Sequence, residues 1–244
     1  MNRCLVLIGL LIALPASVLA QEDVGLQAAT AYQSSDYDTA IRLYEELIAG
    51  GAQDGAIYYN LGNAYYQSGE IGRALLNYRR AQNFMPRDGD LNTNLALIRS
   101  RRLDVQGDET GLLESLSVLT ASVLTLTELA WIAFGLWTLW FALLSVAILR
   151  ERLRDVLRAP LLILGVVTLA GLVLLGSRLL TSPSAVIIET TVQVMSGPGE
   201  DYLELFQLHE AAELRLLETN GDWIRFALPD GRQGWIRHDA VETV

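Results

Sequence analysis

The stretch Ala56-Ile-Tyr-Tyr-Asn-Leu61-Gly62-Asn-Ala-Tyr65, with Gly69, Ala74, Tyr78, Ala81 and Pro86 downstream, decides the fold of the first half of the chain. Stepping back 34 residues lands on Val24, Gln27, Ala28, Ala31, Ser35, Ala40, Tyr44 and Leu47. The same step forward gives Asn92, Leu95, Ala96 and Arg99, with room for only one more helix before Gly107. Self-similarity at this period predicts a repeated pair of helices. The small residues Ala28/Gly62 and Ala40/Ala74 let paired helices approach closely, while Tyr44/Tyr78 and Leu61/Leu95 fill the space between pairs. One pair cannot bury its apolar face alone, so the pairs must stack.

These positions resemble the tetratricopeptide repeat, with Tyr58 standing where that family prefers Trp. The array is expected over 21–104, as two repeats and one closing helix. The resemblance implies a concave, peptide-gripping groove lined by the first helix of each repeat. Carried over by position, its residues are Ala29, Tyr32 and Gln33, then Tyr59, Asn63, Tyr66 and Gln67. Tyr32-Gln33 recurs as Tyr66-Gln67, which fits a repeated contact surface; half-exposed helix positions that merely tolerate Tyr and Gln would look the same. No cationic clamp is expected in the groove, which disfavours a ligand led by a free carboxylate. Residues 21–110 hold 13 acidic and 8 basic residues, and Arg99, Arg101 and Arg102 read as a solvated or headgroup-facing patch.

Composition bounds the remainder. Of 244 residues, 51% are apolar and 19% charged, and the net charge of −10 argues against nucleic acid as a partner. All 18 basic residues are arginine, and Cys4 is the one cysteine, so disulfide frameworks and thiolate metal sites are excluded. Met1-Asn-Arg-Cys, the apolar run 5–14 and the small residues before Gln21 describe a secretory signal peptide over 1–20, with cleavage after Ala20. Two uncharged runs follow, 129–149 and 159–177, expected to form transmembrane helices over 129–149 and 159–180, with a buried globular hairpin as the alternative. Four arginines in the intervening loop 150–158 place that tip in the cytoplasm and both flanking regions outside it. Arg178 is expected to snorkel at the outer interface. Thr125-x-x-Glu128 reads as a capping box opening the first span. The segment 105–128 before the span is a linker or a helix lying on the outer leaflet.

From Pro183 on, the apolar pattern shortens to strands: 186–188, 192–194, 214–217, 223–226 and 234–236, separated by glycine-bearing turns. Val194-Met-Ser-Gly197-Pro198, Asn220-Gly-Asp-Trp223 and Asp230-Gly-Arg-Gln-Gly234-Trp235-Ile236 resemble a bacterial SH3 domain, so 184–244 is expected to be an all-β SH3-like barrel. The resemblance implies binding of cell-wall peptides or partner proteins, with Tyr202, Phe206, Trp223 and Trp235 as the aromatic surface. In so small a barrel the two tryptophans are more often core or near-core, and Tyr202 in its long loop is the better contact. Met195 and Ala211 depart from a common Arg and a usual turn glycine. With 11 acidic and 4 basic residues, the domain disfavours anionic polymers.

The motifs of serine hydrolases, P-loop nucleotide-binding proteins and HExxH metallopeptidases are absent, and no sequence pattern forces an acid and a base together. His209 and His238 read as ordinary surface residues of the barrel. No enzyme activity, cofactor or metal is expected. The order of parts resembles the BatE-type proteins of the bacterial aerotolerance operon, as do Leu205-Phe-Gln-Leu-His209-Glu210 and Thr127-Glu-Leu-Ala-Trp131. The expected class is a multidomain membrane protein: α-α superhelical array, two-helix transmembrane hairpin and SH3-like barrel. The resemblance implies an extracytoplasmic scaffold on the bacterial inner membrane, acting with von Willebrand-type membrane proteins and a MoxR-type ATPase. A peptidoglycan-binding anchor is the second reading.

Overall fold

A computed structural model describes residues 16–104, 112–180 and 184–244. The body of the expected signal peptide, the start of the linker and the Thr181–Pro183 junction lie outside these residues. Five helices build the array: α1 (Ala16–Gln33), α2 (Tyr37–Ala49), α3 (Gly55–Ser68), α4 (Ile71–Phe84) and α5 (Gly89–Arg101). Helix α1 starts before the expected cleavage point and runs through it without a break. Aspartates set three of the following starts. Asp36 accepts from the Thr39 amide, Asp54 from Ala56 and Asp88 from Leu91, each satisfying a donor that the first helical turn leaves unpaired. Gly69 ends α3 at φ 91°, a left-handed backbone that favours glycine.

The packing follows the repeat. Ala28, Ala40, Ala74 and Ala81 are fully buried, and Tyr44, Tyr78, Leu61 and Leu95 fill the array's core. A Cβ on Gly62 would stand 2.6 Å from the Tyr78 ring, so the α3–α4 approach requires glycine there.

Helices α6 (Leu112–Ala121), α7 (Leu126–Leu149) and α8 (Glu151–Leu180) follow. Helix α6 is a separate element, joined to α7 through a short turn. The capping box forms as the sequence predicts: Thr125 Oγ1 accepts from the Glu128 amide, and the Glu128 carboxylate accepts from the Thr125 amide. Helices α7 and α8 pack as an antiparallel hairpin, with Trp140 Nε1 donating to the Leu161 carbonyl at 3.0 Å. Both are long and apolar enough to cross a bilayer, and both are largely exposed along their length.

The expected loop over 150–158 needs correction: only Arg150 breaks the helix, and α8 starts at Glu151. Arg, Glu and Leu are good helix formers, and the Asp155–Arg158 pair at 3.1 Å adds local support, so the segment continues the apolar helix. Arg178 finds a protein partner at this end of the hairpin. Its Nη1 donates to the Leu124 carbonyl at 2.9 Å, clamping the α6–α7 turn.

Seven antiparallel strands form the C-terminal sheet: β1 (Ser184–Ile187), β2 (Thr191–Met195), β3 (Glu204–His209), β4 (Glu213–Asn220), β5 (Trp223–Ala227), β6 (Gln233–Arg237) and β7 (Val241–Thr243). Their order is β3-β2-β6-β5-β4-β1-β7. The sequence pattern missed β3 and β7, the two edge strands. Strand β3 buries only Leu208 fully, so its hydrophobic alternation is weak, and β7 is three residues long. The sheet's core gathers Ala185, Ile187, Val194, Leu208, Ile224, Phe226 and Ile236.

Array and sheet are packed together. Along β1, Ala185 and Ile187 enter the sheet's core, while Val186, and Ile188 just after the strand, join the array's core with Ala211 and Val244. Alternate residues of a strand point to opposite faces, so β1 is buried on both.

Candidate functional site

The groove residues inferred from the repeat lie on α1 and α3, and α5 completes the site. Tyr32 is half-buried, with its ring 5.6 Å from Tyr37, and Gln33 beside it is exposed. Ala29 and Tyr59 are half-buried, and Gln67 is exposed. Asn63 Oδ1 accepts from the Tyr78 hydroxyl at 2.7 Å and from Asn94 Nδ2 at 3.3 Å. Asn94 Nδ2 also lies 3.4 Å from the Tyr59 and Tyr78 hydroxyl oxygens. Burial, and after it the neighbouring tyrosines, pushes the Tyr78 hydroxyl well above its ordinary pKa, so it stays a neutral donor.

Arg101 brings a cation to this face. Its Nη1 donates to the Tyr66 hydroxyl at 2.6 Å, putting an exposed guanidinium at the end of this face. Neither Asn94 nor Arg101 was singled out as a groove residue from the repeat. Stepping Gln67 forward by the 34-residue period lands on Arg101, so the repeat could have found it; Asn94 lies one position past the step from Tyr59 and carries no such signal.

Arg99 and Arg102 belong to a different surface, so the three arginines are not one solvated patch. Arg99 Nε and Nη2 donate to Glu213 Oε1 at 3.0 and 2.8 Å, and Arg79 of α4 acts on the same carboxylate. Burial alone would raise the Glu213 carboxyl, but the Arg79 and Arg99 guanidiniums outweigh it and hold the group below the usual carboxylate range. Burial lowers Arg79, opposed by Glu213. Three further contacts join array and sheet. Arg80 donates to the Thr243 carbonyl at 2.7 Å and to Glu242 at 3.3 Å. The His209 amide donates to Asp104 at 2.7 Å, so His209 is a seam residue and not simply a surface one. The Gly72 amide donates to Glu210 at 3.2 Å.

The aromatic residues of the sheet domain divide. Pairing of β5 with β6 sets Trp223 opposite Arg237 and Trp235 opposite Arg225, while Ile224 and Ile236 meet between them. The two isoleucines are core, so both tryptophans stand half-buried on the outer face among arginines. Neither tryptophan is a core residue, although both are partly covered. Tyr202 lies against Gly197, where a Cβ would overlap its ring, and remains 51% exposed. Phe206 carries the Arg232 guanidinium 4.9 Å above its ring, with Asp230 gripping that arginine at 2.8 Å. The structure therefore sets Trp223 and Trp235 on the same outer face of neighbouring strands, with Tyr202 and Phe206 elsewhere.

Residues 31–95 match the tetratricopeptide repeat family, which covers α2 to α4 with the end of α1 and the start of α5. No curated protein matches the chain. This segment is a tetratricopeptide array, a fold that serves as a scaffold for protein–protein contact.

Proposed function

We propose that the chain is a membrane-anchored scaffold whose helical array holds an extended protein segment while the apolar hairpin fixes it in a bilayer. One observation carries this reading. The α3–α5 face, with Tyr59, Asn63, Tyr66, Asn94 and Arg101, stays open, while the sheet domain packs on other residues of α4 and α5. Half-exposed tyrosines and amides supply area and hydrogen bonds at low entropic cost. Arg101 adds a place for an acidic side chain of the ligand.

The four arginines at 150–158 favour a cytoplasmic hairpin tip, with array and sheet domain on the outer face of a bacterial inner membrane. The order of parts supports a BatE-type role beside von Willebrand-type membrane proteins and a MoxR-type ATPase. The array, an expected binding module, supports an adaptor over a catalyst. A photo-crosslinker replacing Tyr66 in the full chain tests the reading in intact cells. It is expected to trap a discrete envelope protein, and adding Asn63→Ala should abolish the adduct. Equal labelling with and without Asn63→Ala would reject the groove.

A second reading rests on the outer-face tryptophans. Trp223 and Trp235 interleaved with Arg225 and Arg237 make an aromatic, hydrogen-bonding surface on an SH3-like barrel, suited to cell-wall material. Co-sedimentation of the protein with purified sacculi, lost on Trp235→Ala, is its expected signature.

A further inference from the structure

The arginine segment acquires a specific meaning once it is helical. Helix α8 has 30 residues, about 45 Å at ~1.5 Å per residue, against a hydrocarbon core of about 30 Å. The surplus of about 15 Å matches the first turns of α8, which carry Arg152, Arg154 and Arg158, with Arg150 at the break. These side chains are all exposed. Arg158 is shared with Asp155, and no ion pair involves Arg150, Arg152 or Arg154 among the described residues. Around the same tip, the end of α7 and the start of α8 expose bulky apolar groups: Ile148 at 70%, Leu149 at 79% and Val156 at 70%. A surface that mixes unpaired guanidiniums with exposed aliphatic side chains suits neither bulk water nor hydrocarbon. It fits the boundary where acyl chains meet phosphates, with stems buried and charged heads raised.

We infer that the hairpin tip is a binding site for the headgroup phosphates of anionic phospholipids, engaged by Arg150, Arg152, Arg154 and Arg158. This rests on the hairpin inserting into a bilayer, as proposed above. The charge balance agrees: 150–158 holds four arginines, one glutamate and one aspartate inside a chain of net charge −10. The tip is thus a local cation on an acidic protein, which selects anionic over zwitterionic lipid.

The full chain is reconstituted in nanodiscs of phosphatidylcholine with a minor share of phosphatidylglycerol, and the retained lipids are identified by native mass spectrometry. Enrichment of phosphatidylglycerol is expected, by roughly fivefold for each guanidinium that engages a headgroup. The combined change of all four arginines to Gln should bring retention back to the bulk ratio. Asp155→Asn, which frees Arg158 from its internal partner, should raise enrichment and guards against a hairpin that fails to insert without its arginines. Bulk-ratio retention by the wild type, or enrichment unchanged by both variants, overturns the site. Carbonate extraction from pure phosphatidylcholine vesicles separates the two readings. Release from the vesicles overturns both, whereas stable insertion without headgroup preference overturns the lipid site alone. Enrichment abolished by millimolar inorganic phosphate would mark a free-phosphate site and overturn the lipid assignment.

Discussion

Gly72 and Ala211 face each other across the seam, and the two residues are complementary. A Cβ on Gly72 would stand 2.5 Å from the Ile187 carbonyl oxygen, so α4 approaches β1 only where a side chain is missing. Ala211 has φ 64°, a left-handed backbone that costs an L-residue roughly 1–2 kcal/mol, yet its methyl is fully buried against the array. Burying one methyl returns about 0.8 kcal/mol, which offsets part of that cost. Gly72→Ala is therefore expected to loosen the seam by about 1–3 kcal/mol, while Ala211→Gly changes it by less than about 1 kcal/mol. Amide hydrogen exchange at Ile187 and Ala211, which bond each other's turn, reads both effects.

Glu213 gives the seam its pH dependence. Its carboxyl is depressed in the folded chain and ordinary in the unfolded one. The stabilisation is thus complete above the ordinary glutamate value of about 4.3 and fades as pH falls through the lower, folded value. Glu213→Gln leaves Arg79 and Arg99 facing each other without an anion. It should cost about 2 kcal/mol near neutrality and remove the extra acid sensitivity of exchange in β1 and α4.

At the scale of elements, α5 shows how one helix serves two surfaces. Asn94 and Arg101 point to α3 and the open face, whereas Arg99 reaches the sheet. Helix α4 divides in the same way, with Tyr78 towards α3 and Gly72, Arg79 and Arg80 towards the strands. Tyr78→Phe removes the strongest donor to Asn63 while keeping the ring packed on Gly62. It is expected to lower the array's stability by about 1 kcal/mol and to loosen the Asn63 amide, seen as line broadening of its side-chain NMR signal.

The element-scale reading from sequence was good for helices and uneven for strands. Helix pairs announce themselves through spacing, because small and large residues recur where helices must touch. Strand β1 carried a signal that passed unread. Ala185-Val-Ile-Ile188 is apolar without alternation, the pattern of a strand buried on both faces, and its second face needed a partner.

For the whole molecule, the chain leaves the array after Asp104, forms the apolar hairpin and returns at Ser184 to pack on the array it left. The hairpin is thus inserted between two parts of one packed body. Joining 16–104 to 184–244 through a flexible linker should preserve the seam, with exchange at Gly72 and Ile187 unchanged from the full chain. A bilayer anchor is not what holds the seam, because its contacts all lie within those two segments. A second joint ties the array to the hairpin: Arg87 donates to the Val123 carbonyl at 2.9 Å and to the Glu128 carboxylate at 2.7 Å.

By itself the sequence determined the repeat, the capping box, the two long apolar helices and most strands, because each depends on contacts within a few residues or at one fixed spacing. Only the tertiary structure decided that the sheet packs against α4 and α5, that Arg99 and Arg101 serve opposite surfaces, and that both tryptophans face outward. Those outcomes join residues more than a hundred positions apart or depend on which side of a strand a neighbour covers. No local spacing encodes either.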